Sequence, residues 1–248
     1  MAGFPDKFKL LLLLLVSACS LWPAAAVGGQ SDRECVVLLH GLARTSASMT
    51  ELETKLETAG YAIVNLSYPS RNFPVEELAR SAVEEGLAAC DSLGTSRVNF
   101  VTHSLGSILV RYYFGRNEDP RLHRVVMLGP PNQGSELVDA LAELPGFELI
   151  NGPSGEQLGT GSQSIVQELG PVNFDTGVIA GDQGINPLFA FIIPGPDDGK
   201  VSVSSTRVEG MKDHIVLPVT HTFMMFNNEV VDQVIHFLKS GQFDRPDP

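Results

Sequence analysis

Basic residues are scarce in this chain of 248 residues: Lys and Arg number 17 against 29 Asp and Glu, a formal net charge of −12. They gather into no stripe, so the electrostatic footprint that a nucleic-acid backbone demands is missing and no such partner is expected. No Cys/His spacing matches a zinc site, and no glycine-rich loop carries the Lys that would cradle a phosphate. Neither a resident metal nor a cofactor is implied. No segment of 20–50 residues repeats, which sets aside solenoids and propellers, and no low-complexity tract interrupts the body of the chain. The apolar run at 10–16 is too short to span a bilayer. Cysteine is rare as well, with three in all: Cys19, Cys35 and Cys90.

What the amino terminus does have is an order. Lys7 and Lys9 precede the apolar run and Ala24-Ala25-Ala26 follow it, the n-region, h-region and cleavage-site sequence of a secretory signal. Pro23 and the lack of an amphipathic period argue against a packed helix there. Two cuts stay open. Val16-Ser17-Ala18-Cys19 resembles a bacterial lipobox, in which Cys19 would carry a lipid anchor; the other cut follows Ala26. Residues 1–26 are therefore expected to be a signal, 27–33 a linker, and the protein to be exported, periplasmic or secreted. Either cut leaves Cys35 and Cys90 in the mature body. Export permits a disulfide between them, but two buried thiols would serve equally well.

At this length one substantial core and a single domain are expected, over 34–240, with a tail at 241–248. Its organising stretch is 98–110. An apolar, β-branched run ends at Thr102 and an apolar helical period begins at Leu105, so His103 and Ser104 alone make the turn. A side chain at such a corner is pushed away from the sheet, and the helix behind it aims unpaired N–H groups at developing negative charge. A nucleophile needs both. Upstream, 34–39 is continuously apolar, as a strand covered on both faces should be. Ser48-Met49-Thr50-Glu51 reads as a capping box for a helix that buries Met49, Leu52, Leu56 and Ala59 and stops at Gly60. A strand at 61–66 follows. Pro74 then opens a helix whose apolar face is Val75, Leu78, Ala82 and Leu87. Further strands are read at 124–128 and 176–180 and a last helix at 227–239. Alternating strands and helices imply a parallel sheet with right-handed crossovers. Between 140 and 175 the alternation fails, with many glycines and one short helical stretch at 164–169; a connection that long is functional or mobile.

Thr102-His103-Ser104-Leu105-Gly106 resembles the nucleophile elbow G-x-S-x-G of α/β-hydrolases, with threonine in the first glycine's place. His40-Gly41-Leu42 at the end of the first strand resembles the oxyanion-hole segment of lipases. Pro131-Asn132-Gln133-Gly134-Ser135 resembles a strand-end loop of bacterial lipases and esterases. Asp198-Gly199-Lys200-Val201-Ser202 resembles the family's Asp-Gly-x-Val-Ser, which puts the acid on Asp198 and leaves Asp197 a solvated neighbour. The family's histidine sits in the loop before the final helix, where this chain has His221; His214 is its one rival. His40, His103, His123 and His236 read as packing or surface residues. The order Ser104, Asp198, His221 is that of the α/β-hydrolases.

The resemblance covers 34–240 and implies an α/β-hydrolase fold, a mostly parallel central sheet with helices on both faces and a small cap or lid at about 140–175. It implies a serine hydrolase of carboxylic, lipid or acyl esters, resembling small exported bacterial lipases and esterases. Ser104, Asp198 and His221 would be its triad and the backbone N–H groups of Leu42 and Leu105 its oxyanion hole. Thioester and amide hydrolysis or acyl transfer could use the same triad, and a non-catalytic envelope binding protein is the alternative of another class. The implied partner is a small ester or lipid; the oligomeric state stays open. Phe147, Leu149 and Ile150 are expected over the pocket mouth, with 188–193 either walling the pocket or in the core. In the fold implied, the strand of Cys35 lies beside the nucleophile strand and Cys90 closes the helix feeding it, which brings both thiols to the end of the sheet opposite the active site.

Overall fold

In the computed structural model, residues 33–245 other than 163, 185, 187 and 188 are described. The expected signal, both candidate cuts and Cys19 lie outside them. Six strands form one sheet: β1 (Cys35–Leu39), β2 (Ala62–Leu66), β3 (Val98–His103), β4 (Leu122–Leu128), β5 (Thr176–Gly181) and β6 (Asp213–Leu217). Their order is β2-β1-β3-β4-β5-β6, and every neighbouring pair is parallel. After β1 the chain first adds β2 on one side, then crosses to the other side with β3. That reversal is a topological switch point, and the crevice beyond the carboxyl ends of β1 and β3 is where such sheets bind ligands.

Strand alternation divides the core into two layers. Val37, Leu39 and Phe100 face helices α2 (Val75–Ser92) and α3 (Leu105–Phe114). Val36, Leu38, Val101 and Val126 face α1 (Thr50–Thr58) and α6 (Asn228–Ser240). β1, β3 and β5 are buried at every position, which is why β1 reads as an unbroken apolar run. Each fully buried Leu, Val or Phe contributes about 1.5–3 kcal/mol of transfer free energy. The apolar faces expected for α1 and α2 are the buried ones, and Asn227 caps α6 by accepting from Val230 N–H at 3.2 Å. The capping box before α1 does not form. Ser48 sits in a 3-10 turn (Ser46–Met49), where its hydroxyl donates to Thr45 O at 2.8 Å, so it is unavailable to the helix.

Three elements go unanticipated by the sequence pattern. β6 is a short edge strand whose first three positions are partly buried and whose fourth, Val216, is exposed, so only Leu217 is fully covered. Helices α4 (Glu136–Ala142) and α5 (Phe147–Glu156) lie in or beside the irregular 140–175 stretch, and α5 is broken at Gly152, φ 65°, with Pro153 next. Such a break erases the helical period from the sequence. The expected tail is packed as far as Arg245: Phe243 is buried against Phe237, and Arg245 pairs with Asp213 at 2.7 Å.

Cys35 opens β1 and Cys90 lies in the last turn of α2, their Cα atoms 5.8 Å apart in a disulfide that closes a 55-residue separation. Both are fully buried. In the chain-entropy account, a loop of this length stabilises the fold by about 4 kcal/mol by restricting the unfolded chain. Reduction is expected to lower the melting temperature measured by calorimetry, with two free thiols recovered after denaturation. Two free thiols before reduction would contradict the pairing.

Candidate active site

Ser104 stands between β3 and α3 with φ 51° and ψ −118°. A residue with a side chain is strained there by about 1–3 kcal/mol, and such a conformation survives only where the surroundings over-determine it. The Ser104 N–H is held by Leu128 O of β4 at 2.9 Å. On the helix side, a Cβ on Gly106 would lie 2.6 Å from Leu39 O, so strand end and helix start meet where only glycine fits. On the strand side, Thr102 is accommodated because its hydroxyl hydrogen-bonds the Ser107 hydroxyl at 2.8 Å, pinning β3 to α3. The threonine replaces a close approach with a buried polar clasp. Neither the Leu105 nor the Leu42 backbone N–H finds an acceptor among the described residues.

The Leu42 segment is fixed from beneath. Tyr68 N–H donates to His40 Nε2 at 3.2 Å, so the proton is on Nδ1, which donates to Gly41 O at 2.8 Å. The Tyr68 ring stacks on the imidazole at 4.1 Å and its hydroxyl donates to His40 O. Burial lowers the His40 pKa, as suits a structural, neutral histidine. A Cβ on Gly41 would sit 2.7 Å from His103 Nδ1 and 3.2 Å from Ser104 Cβ, so this glycine lets the loop lie against the elbow. Ala43 follows in the left-handed region at φ 55°, its N–H donated to Ser70 Oγ at 3.0 Å. Ser70 O in turn accepts from Ser154 Oγ of α5 at 2.5 Å. Ser70 therefore links the Leu42 loop to α5. Nothing in its sequence context marks that role.

Asp198 and His221 meet, and His221 lines the same cavity as Ser104. His221 Nδ1 lies 2.8 Å from Asp198 Oδ2, with both side chains buried. Asp198 Oδ1 accepts from Lys200 N at 3.0 Å and Val201 N at 2.8 Å, and Asp198 O accepts from His221 N at 2.8 Å. The Asp-Gly-Lys-Val turn thus wraps its own carboxylate and leaves one oxygen for the imidazole. Gly129, at the end of β4 with φ 53°, makes room: a Cβ there would stand 3.0 Å from both Asp198 Oδ2 and His221 Nδ1. His103 Nε2 donates to His221 O at 2.9 Å, its ring centroid 4.7 Å from that of His221. Burial, then the charge of His221, holds the His103 pKa well below the ordinary value.

The other candidates lie elsewhere. Asp197, expected to be solvated, is instead buried and accepts from Gly199 N within the turn at 2.7 Å. His214 is on β6, bonded to Thr206 Oγ1 at 2.9 Å, and burial lowers its pKa to about 4. His123 belongs to β4 rather than preceding a strand, and His236 bonds Gln242 O at 3.0 Å on α6.

Ser104 and His221 line one cavity of about 180 Å³ together with Leu42, His103, Leu137, Val138, Leu141, Phe147 and Leu158, and with two cations, Arg44 and Lys200. The irregular segment does supply part of the wall, through Leu141, Phe147 and Leu158. Leu149 and Ile150 do not line it: they are 87% and 61% exposed. Among the described residues of 188–193, none lines the cavity; Ile193 is core and Phe191 is 90% exposed. The Pro-Asn-Gln-Gly-Ser turn is held by the buried Arg111, which donates to Asn132 O at 2.9 Å, Asn132 Oδ1 at 3.0 Å and Gly170 O at 2.8 Å, and the turn presents Pro131 and Ser135 to the cavity.

No protein-family model matches the sequence, and no curated protein matches it. Solved structures do. The mature lipase BlEst2 of Bacillus licheniformis superposes with a TM-score of 0.67 at 17% identity, covering 84% of this chain and 92% of that one. Phospholipase PlaB of Legionella pneumophila gives 0.61 at 20% identity, over 85% of this chain and 57% of its own. A structure reported for the metagenome-derived lipolytic enzymes LipS and LipT gives 0.56 at 16%, over 84% and 94%. At these identities the likeness is one of fold.

Two buried imidazoles, His40 and His103, and the half-buried His214 have pKa values below the ordinary 6.5. Unfolded, each binds a proton near pH 6.5; folded, only at lower pH. Between those limits the unfolded chain holds more protons, so stability falls as pH drops through that window. The urea midpoint is expected to be lower at pH 5 than at pH 7.5, and His214→Asn should reduce the difference. An unchanged or higher midpoint at pH 5 would contradict this.

Proposed function

We propose that this chain, which has the α/β-hydrolase fold, is a serine hydrolase that cleaves carboxylic esters through an acyl-enzyme. The observation that carries the reading is the buried 2.8 Å contact between His221 Nδ1 and Asp198 Oδ2, with His221 and the strained Ser104 corner on one cavity wall. An Asp carboxylate on Nδ1 fixes the tautomer that leaves Nε2 free to accept a proton.

Ser104 Oγ attacks the ester carbonyl carbon as its proton passes to His221 Nε2, and the carbonyl π pair moves onto oxygen. The Leu42 and Leu105 N–H groups receive that oxyanion. Both lack other acceptors among the described residues, and preorganised donors of this kind each supply about 10²–10³ in rate. The oxyanion collapses, the C–O bond to the alcohol breaks, and His221 protonates the departing oxygen. Water then gives a proton to the same imidazole while its oxygen attacks the acyl-enzyme, and a second collapse returns the proton to Ser104 Oγ and releases the acid. Asp198 stays ionised throughout and offsets the imidazolium charge. The reading extends to an exported enzyme: the signal-like order of residues 1–26 and the Cys35–Cys90 bridge both suit an oxidising compartment.

Ser104→Ala is expected to abolish labelling by a fluorophosphonate probe, and His221→Ala and Asp198→Asn to lower kcat/KM by about a thousandfold or more. Asp197→Asn and His214→Ala, assayed well below their melting temperatures, should stay within about tenfold of the parent, since neither touches the reacting atoms. An inactive but folded His214→Ala would require a different base.

Acyl selectivity follows from the cavity. At about 180 Å³ it falls below the roughly 300–1,000 Å³ of pockets that enclose larger ligands, so a panel of p-nitrophenyl esters should peak at short acyl chains. Phe147→Ala should move that peak to longer chains. A parent optimum at long chains, or an unmoved peak in Phe147→Ala, would contradict this assignment.

A further inference from the structure

Arg44 and Lys200 line the same cavity as Ser104 and His221. Neither side chain enters an ion pair or hydrogen bond among the described residues, whereas those of Arg97, Arg121, Lys212 and Arg245 each engage a carboxylate. What sets these two cations apart is their place on the cavity that Ser104 and His221 line. They share that wall, and their charges are felt across it: desolvation and then the charge of Arg44 lower the Lys200 pKa, and both cations help depress that of His103 beside Ser104. The carboxylate acting on Lys200 is Asp198, which is already committed to His221 and to its own turn.

Two like charges on the wall of one cavity, with no carboxylate of their own, favour an anion between them. The cavity says where that anion belongs. Leu137, Leu141, Phe147 and Leu158 form an apolar wall from the α4–α5 segment, suited to the acyl chain. Arg44 and Lys200 come instead from the two strand-end loops that carry Leu42 and Asp198. We infer that the substrate is an ester whose alcohol portion carries an anionic group, a phosphate or a carboxylate, bound between Arg44 and Lys200 while the acyl chain lies on the α4–α5 wall. This rests on the ester-hydrolase reading above and assigns the substrate class of that same site.

The test compares phenyl butyrate with its para-carboxylate, para-phosphate and para-trimethylammonium derivatives, in the parent enzyme and in Arg44→Gln/Lys200→Gln. A hydrogen-bonded charge pair is expected to raise kcat/KM for an anionic ester over the neutral one by roughly tenfold at low salt. That ratio should fall with ionic strength and approach one in the double variant, with the cationic ester the poorest substrate of the parent. The preferred arm, phosphate or carboxylate, identifies the group. Equal rates on neutral and anionic esters in the parent would overturn the inference and leave ester hydrolysis standing. So would a preference that survives in the double variant. No turnover of any of the four would overturn both.

Discussion

The near-contact of β1 with the first turn of α3 governs the rest of the molecule. A strand end and a helix start can come this close only if no side chain intervenes, and Gly106, where a Cβ would press to 2.6 Å from Leu39 O, meets that condition. Bringing them together forces Ser104 into a positive φ, aims the Leu105 N–H outward and sets it beside the Leu42 loop that follows β1. The sheet reversal between β2 and β3 opens a crevice at that same point. Strain at Ser104 is thus sustained by the parallel ladder and by the two apolar layers that clamp it.

Polar groups under the site are arranged to leave only a few free. Tyr68 fixes the tautomer of His40, and His221 O takes the Nε2 proton of His103. Two turn amides saturate one oxygen of Asp198, so the other is left to His221. Of the three histidines gathered near Ser104, two are locked into structural bonds by burial. The third faces the cavity, its Nδ1 spoken for and its orientation set by Asp198.

The segment between α4 and β5 has a different character. Gly152 lies where a Cβ would collide with the Arg71 backbone, and Ser154 bonds Ser70, so α5 is seated on the loop after β2 through backbone and short polar side chains, while Leu158, Ile165, Val166 and Leu169 beyond it join the core. It gives one face, with Leu141, Phe147 and Leu158, to the cavity. Leu149 and Ile150 stay in solvent because Phe147 and Asn151, one helical turn apart, define the cavity face of α5 and these two lie off it.

Local rules sufficed for much of this protein. A run of β-branched residues ending two positions before a helical period dictates a tight corner at Ser104, and unbroken apolar strands alternating with amphipathic helices dictate a parallel sheet covered on both sides. Both are properties of neighbours in the chain, so they are visible in it. The resemblance to α/β-hydrolases ordered Ser104, Asp198 and His221, and Asp198 and His221 do meet. Tertiary structure alone decided what depends on how the chain is brought together: that Thr102 is tolerated because its hydroxyl and that of Ser107 hydrogen-bond across the corner, that Ser70 steadies the Leu42 loop, that Gly129 clears space for a pair 69 and 92 positions further on. It alone decided that Arg44 and Lys200 share a cavity. β6, α4 and α5 were illegible for the same reason: an edge strand and a helix broken by Gly-Pro carry no period of their own and are held by the surface they pack against.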